Sequence, residues 1–214
     1  MTKKLSIMLA FHADVTIKNK YLERVQAHHD ADEIVKGKYW ERGKGCAVGC
    51  TIHGSDHSRY ENELGIPRWI ARVEDGIFEG LPNEDAKAFP LQFLKAIPVG
   101  ADLSGVFDKF MHFLLMDEFF GVIKFARSDR AKDSIRAVGE LYRRKISGET
   151  VTIEEWKKAA DAAAYAAAYA AYAAYAAHAA REDARRAQRD RLLQLLAEAP
   201  VPEGTQAKPR KKAA

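Results

Sequence analysis

Cys46, Cys50, His53 and His57 fall within twelve residues in the pattern Cys-x3-Cys-x2-His-x3-His. Two thiolates and two imidazoles form a donor set used by tetrahedral zinc sites, so the segment is a candidate metal centre. Compact sites usually separate the cysteine pair from the histidines by a longer loop. Four ligands this close need a tight wrap, for which Gly43, Gly45, Gly49 and Gly54 supply backbone freedom. The same residues admit a nucleophilic reading: Lys44 before Cys46 and His53 after it favour a thiolate, and Asp56 is a candidate orienting acid. The plainer account is a pair of buried thiols at a helix start with histidines on the surface. It is favoured because free cysteine is among the most buried residue types. Gly43-Lys44-Gly45 lacks the full phosphate-loop pattern, and no convincing strand precedes it.

Upstream, His28 and Asp32 stand four apart, as do His29 and Glu33, so each pair shares a helix face. They offer further nitrogen and oxygen ligands or an acid-base pair, although a solvated face is favoured in so charged a stretch. His12 and His112 stand alone and read as packing or surface.

The elements that must position these residues are helices. Asp14 or Thr16 caps a segment carrying Ile17, Tyr21, Val25 and Ile34, ending before Gly37. After the glycine-rich stretch, a short helix from Ser55 stops at Gly65, and Pro67 opens the next, with Trp69, Ile70, Val73, Ile77 and Phe78 inward. Asn83 caps another, which Pro90 should start or kink; Val106 to Leu114 and Asp129 to Lys145 complete the body. Strand signals are poor: only Gly121 to Phe125 and, more weakly, Ala47 to Ile52 show them.

Thr152 and Glu155 make a capping-box pattern, so a last helix starts there and runs to Pro200. Alanine, the best helix former, holds sixteen of the twenty-two positions from Ala159 to Ala180. Unbroken, residues 153–199 span about 70 Å. Tyr165, Tyr169 and Tyr172 share one stripe, with Tyr175 following, whereas Trp156, His178, Leu192 and Leu196 lie nearly opposite. These tyrosines are the candidate interaction residues. A partner chain can cover such a rod, or the helix breaks and packs back on its own domain.

The 214 residues carry a formal net charge of +4. Residues 181–214 hold nine Lys/Arg against five Asp/Glu, so the whole excess sits in the tail and the body is neutral. Glu182, Asp183 and Asp190 interrupt the run Arg181, Arg185, Arg186, Arg189 and Arg191, which leaves nucleic-acid binding as a minor alternative. No apolar run has the length of a membrane span, and the two cysteines fit a reducing cytoplasm rather than a disulfide scaffold.

The stretch from Ser134 to about Ala187, a quarter of the chain, carries Ile135, Val138 and Leu141, a Gly148 turn, Trp156 and the Ala-Ala-Tyr rod. It resembles the C-terminal part of immunity proteins of the Imm5 type, found with bacterial polymorphic toxins. The resemblance implies a helical protein that neutralises a toxin by binding it, with no catalytic residues to carry over. The expectation is therefore an all-α cytoplasmic protein: a globular domain over residues 1–148, a long Ala/Tyr-rich helix over 149–199 and a disordered basic tail over 200–214. Its expected role is a non-enzymatic module that binds a protein partner or itself, with immunity-like character. The alternatives are a zinc-binding protein or Cys-His enzyme centred on Cys46, Cys50, His53 and His57, and a weak nucleic-acid binder acting through the C-terminal basic segment.

Overall fold

The computed structural model describes residues 8–159 and 178–205, and they are mostly helical. Contacts divide the chain into two units, Met1–Ser104 with Leu196–Ala214, and Gly105–Leu195. The boundary expected at residue 148 lies inside the second unit.

In the first unit, helix α1 (Val15–Asp30) begins at the expected cap, where the Asp14 carboxylate accepts the Thr16 N–H at 2.8 Å. It stops short of Gly37. Ala31 N–H returns to Ala27 O and Asp32 adopts a left-handed φ of 53°, so Ile34 leaves the helix and bridges to Gly45. The glycine-rich stretch then folds into a small antiparallel hairpin of β1 (Trp40–Glu41) and β2 (Lys44–Gly45). Its two-residue turn, Arg42 and Gly43, has positive φ at both positions, the geometry that matches strand twist in tight hairpins. Helix α2 (Ala47–Ile52) follows, where the sequence carried weak strand character. Cys46 caps it, the sulfur accepting the Gly49 N–H at 3.5 Å.

One π-helical turn, Tyr60–Leu64, ends on Gly65 with φ 61°. Glycine is required there twice over, since a Cβ would also sit 2.2 Å from Leu9 O. Pro67 precedes α3 (Arg68–Gly80), and α4 (Asn83–Ala96) accommodates Pro90 as a buried residue inside the helix. The Lys18 ammonium donates to Lys95 O at 3.0 Å and Ile97 O at 2.6 Å, satisfying carbonyls at the end of α4. Helix α1 packs on α2 and α4, and α3 on the same two. Tyr21, Ile52, Tyr60, Leu64, Ile70, Phe78, Phe89, Phe93 and Leu94 form the sealed interior.

The second unit contains α5 (Val106–Met116), α6 (Val122–Phe125), α7 (Asp129–Ile146), α8 (residues 153–159) and most of α9 (His178–Ala197). Residues 122–125, read from sequence as a strand candidate, form a helical turn instead. Gly121 begins it with extended backbone, and a short apolar run without a neighbouring strand has no ladder to join. Helices α5 and α7 pack closely because Gly139 leaves room for Met116, whose Cγ would lie 2.5 Å from any Cβ there. Tyr142 contacts the rings of Phe107 and Trp156 edge-on. The capping box forms as expected: Thr152 N–H donates to Glu155 Oε2 at 2.8 Å and Glu155 N–H to Thr152 Oγ1 at 3.2 Å.

Tyr165, Tyr169, Tyr172 and Tyr175 lie outside the described residues, as do residues 206–214 of the basic tail. Leu192, Leu195 and Leu196 of α9 are buried, and Pro200 O accepts the Asp102 N–H at 2.8 Å. Among the described residues no helix is long and apolar enough to cross a membrane.

Candidate functional site

The chemistry-bearing residues gather where the hairpin lies on α2 and α3. Two glycines allow it. A Cβ at Gly49 would stand 1.3 Å from Tyr39 O, and one at Gly45 2.1 Å from the same atom, so the hairpin backbone rests directly on the start of α2. Cys46 N–H donates to Lys38 O at 2.7 Å and holds the two together. Tyr39 and Trp40 are thereby aimed across α2 toward the histidines that follow it.

Cys46 and His57 both reach Asp75. The Cys46 sulfur, an Asp75 oxygen and a Glu79 oxygen lie within 4.8 Å of one another, and they are the sole group of three or more metal-competent atoms among the described residues. Asp75 and Glu79 are one turn apart on α3 and so share a face. Tyr39 Oη donates to Asp75 Oδ2 at 3.2 Å, and His57 Nε2 stands 3.6 Å from the same oxygen. Both oxygens of Glu79 accept the Gly37 N–H at 3.1 Å. His57 Nε2 and Asp75 Oδ1 are buried without a hydrogen-bond partner. Burial pushes the Cys46 thiol well above its ordinary range; the Gly49 N–H opposes the shift and the Asp75 charge adds to it.

Cys50 and His53 go elsewhere. The Cys50 thiol donates to Gly45 O at 3.3 Å, and burial pushes it up to about 12. His53 ends α2 in a left-handed conformation, φ 51°, which swings its ring toward α1. Its Nε2 meets His28 Nε2 at 2.8 Å, while His28 Nδ1 lies 2.6 Å from Glu33 Oε2. Trp40 stacks on His53 with centroids 4.3 Å apart. Desolvation, then the Arg24 charge, lowers the His53 pKa from its ordinary value. The four candidate ligands are thus distributed over three environments: an acidic cluster for Cys46 and His57, backbone carbonyls for Cys50, and a histidine pair for His53.

The helical face pairs proposed for α1 are not the ones that form. His28 pairs with Glu33, His29 with Asp30 at 3.2 Å, and Asp32 with Lys87 at 2.7 Å. Asp56, offered as an orienting acid, accepts the Ser58 N–H at 2.9 Å and closes a turn; Asp75 occupies the place beside an imidazole instead. Asp75, Glu79, Tyr39 and Trp40 were missed in the sequence. An i, i+4 carboxylate pair on a helix with an otherwise broad apolar face is the signal that would have found the first two.

Beneath the cluster, Tyr60 Oη donates to Glu74 Oε2 at 2.9 Å, both side chains being fully buried. Burial pushes the Glu74 carboxyl well above its ordinary range. Beside it, Lys38, Tyr39, Trp40, Glu41, Gly54 and Ser55 line an open depression of about 460 Å³.

A different kind of surface lies in the second unit. Asp117 accepts the backbone N–H groups of Phe119 at 3.0 Å and Phe120 at 2.8 Å, and this turn holds the rings outward. Phe119 is 60% exposed and Phe125 47%, with Phe120 and Val122 exposed between them. Compared with protein-family models, with curated proteins and with solved structures, the chain has no significant match.

Proposed function

We propose that this chain is a non-enzymatic protein-interaction module. The observation that carries the reading is the aromatic turn at residues 119–125, where Phe119, Phe120, Val122 and Phe125 remain 36–60% exposed although an ordered hydrogen-bonded turn holds the segment in place. Exposed large apolar side chains grouped in one short segment are a feature of partner sites, and rigid aromatic anchors lose little entropy on binding. The resemblance to immunity proteins supports a protein as the partner, either a toxin that such a factor neutralises or a second copy of this chain. A Cys-His enzyme at Cys46 or Cys50 requires an accessible thiolate, whereas both thiols are buried and held protonated.

The test compares wild type with the double variant Phe119→Ser/Phe125→Ser. Light scattering behind size exclusion reads self-association, and a pull-down with each form reads heterologous partners. Wild type should either form a larger species or retain a protein that the variant loses. A monomeric wild type that recovers the same proteins as the variant overturns the proposal.

A further inference from the structure

We infer that Cys46 Sγ, Asp75 and Glu79 form a seat for one divalent cation of the zinc class, with His57 as the positioning residue behind Asp75. This inference is independent of the proposed binding role, since it concerns another unit of the chain and other variants. The donor set mixes a thiolate with two carboxylates, a combination that suits borderline ions such as Zn2+ and Co2+ and not Mg2+ or Ca2+. In a tetrahedral zinc site the ligand atoms stand roughly 3.3–3.6 Å apart. The three atoms here already lie within 4.8 Å of one another, and Glu79, the exposed member, can close the remainder by a side-chain rotation that gives up one of its two contacts with the Gly37 N–H.

Two observations beyond that proximity point to a cation. Asp75 Oδ1 is buried with no nitrogen or oxygen donor beside it, and the Cys46 thiol hydrogen-bonds to this carboxylate, so an ion that displaces the thiol proton would satisfy both groups. His57 Nε2, also buried and unpartnered, stands 3.6 Å from Asp75 Oδ2, the placement of a histidine that orients a ligating carboxylate. Tyr39 Oη holds the same oxygen from the hairpin side. On binding, the cation replaces the Cys46 thiol proton, which leaves to the buffer; one proton is released for each ion bound.

The experiment titrates full-length protein, first dialysed against a chelator, with Co2+ and then displaces the cobalt with Zn2+. Expected is one Co2+ per chain with a near-ultraviolet thiolate-to-cobalt charge-transfer band. Cys46→Ser should abolish the band, and Asp75→Asn, Glu79→Gln and His57→Ala should each weaken binding about 10-fold or more. Cys50→Ser and His53→Ala should bind as wild type does. Far-ultraviolet circular dichroism checks that each variant folds, and Glu79→Gln, on an exposed side chain, keeps the test decisive if Cys46→Ser does not fold. No band in wild type, unchanged affinity in folded Glu79→Gln, or a band that survives Cys46→Ser and disappears in Cys50→Ser or His53→Ala overturns the inference.

Discussion

Gly49 and Gly76 are both helical glycines, and helix propensity alone assigns each about 1 kcal/mol of gain on replacement by alanine. Their surroundings separate them. At Gly76 nothing lies within 4 Å of the place an added methyl would take, whereas at Gly49 that methyl would stand 1.3 Å from Tyr39 O and 2.5 Å from Tyr39 C. Ordinary contact begins near 3.4 Å, so the Tyr39–Trp40 peptide must retreat by about 2 Å. Such a retreat breaks the Cys46 N–H bond to Lys38 O and the pairing of Trp40 with Gly45. Lost hydrogen bonds cost about 1 kcal/mol each and overpacking about 1–3 kcal/mol, which leaves a net loss of about 2–4 kcal/mol after the propensity gain. With a urea slope of about 2 kcal/mol/M, the midpoint for Gly49→Ala falls by about 1–2 M while that for Gly76→Ala rises by up to about 0.5 M. Urea melts followed by circular dichroism read both. A Gly49→Ala protein as stable as wild type would refute the claim that the hairpin backbone is seated on α2.

Removing the Tyr60 hydroxyl (Tyr60→Phe) leaves Glu74 Oε2 buried and unpaired and should cost about 1–3 kcal/mol in the same melts; a neutral result would mean that the pair carries no weight. Thr152→Ala should loosen the start of α8 by about 0.5–2 kcal/mol, read as faster amide exchange at Glu155. Arg144, then the Thr152 backbone N–H, depress the Glu155 carboxyl to about 2 from an ordinary 4.5. Its stabilisation is therefore complete above pH 4.5 and is lost as pH falls toward 2, so amide protection at the helix start should fade across that window in wild type and stay flat in Glu155→Gln. Both thiols, being buried, should react with an aromatic disulfide at least about 100-fold more slowly in native protein at about pH 8 than in urea; rapid native labelling would contradict their burial.

Much of the helical architecture was legible because its signals are local. Asp14 and the Thr152/Glu155 pair mark helix starts through bonds made within three residues, and Gly65 marks a stop through its own φ. The short runs at 47–52 and 122–125 misled, since four to six residues with three β-branched or aromatic members fit a strand or a helical turn equally and only the neighbours choose.

The side-chain cluster was legible only in its cysteine and its last histidine. Composition and spacing by themselves determined a helical chain, two thiols without a disulfide framework and a run of potential ligands from Cys46 to His57, because propensity, capping and residue type act over a few positions. Tertiary structure decided which atoms meet. The left-handed turn at His53 sends that ring to His28, the hairpin seated on Gly49 brings Tyr39 to Asp75, and α3 carries Asp75 and Glu79 to Cys46 from about thirty residues away in the chain. Contacts between elements that distant depend on how whole faces pack, and that information is spread over every buried residue of the unit rather than written in the motif.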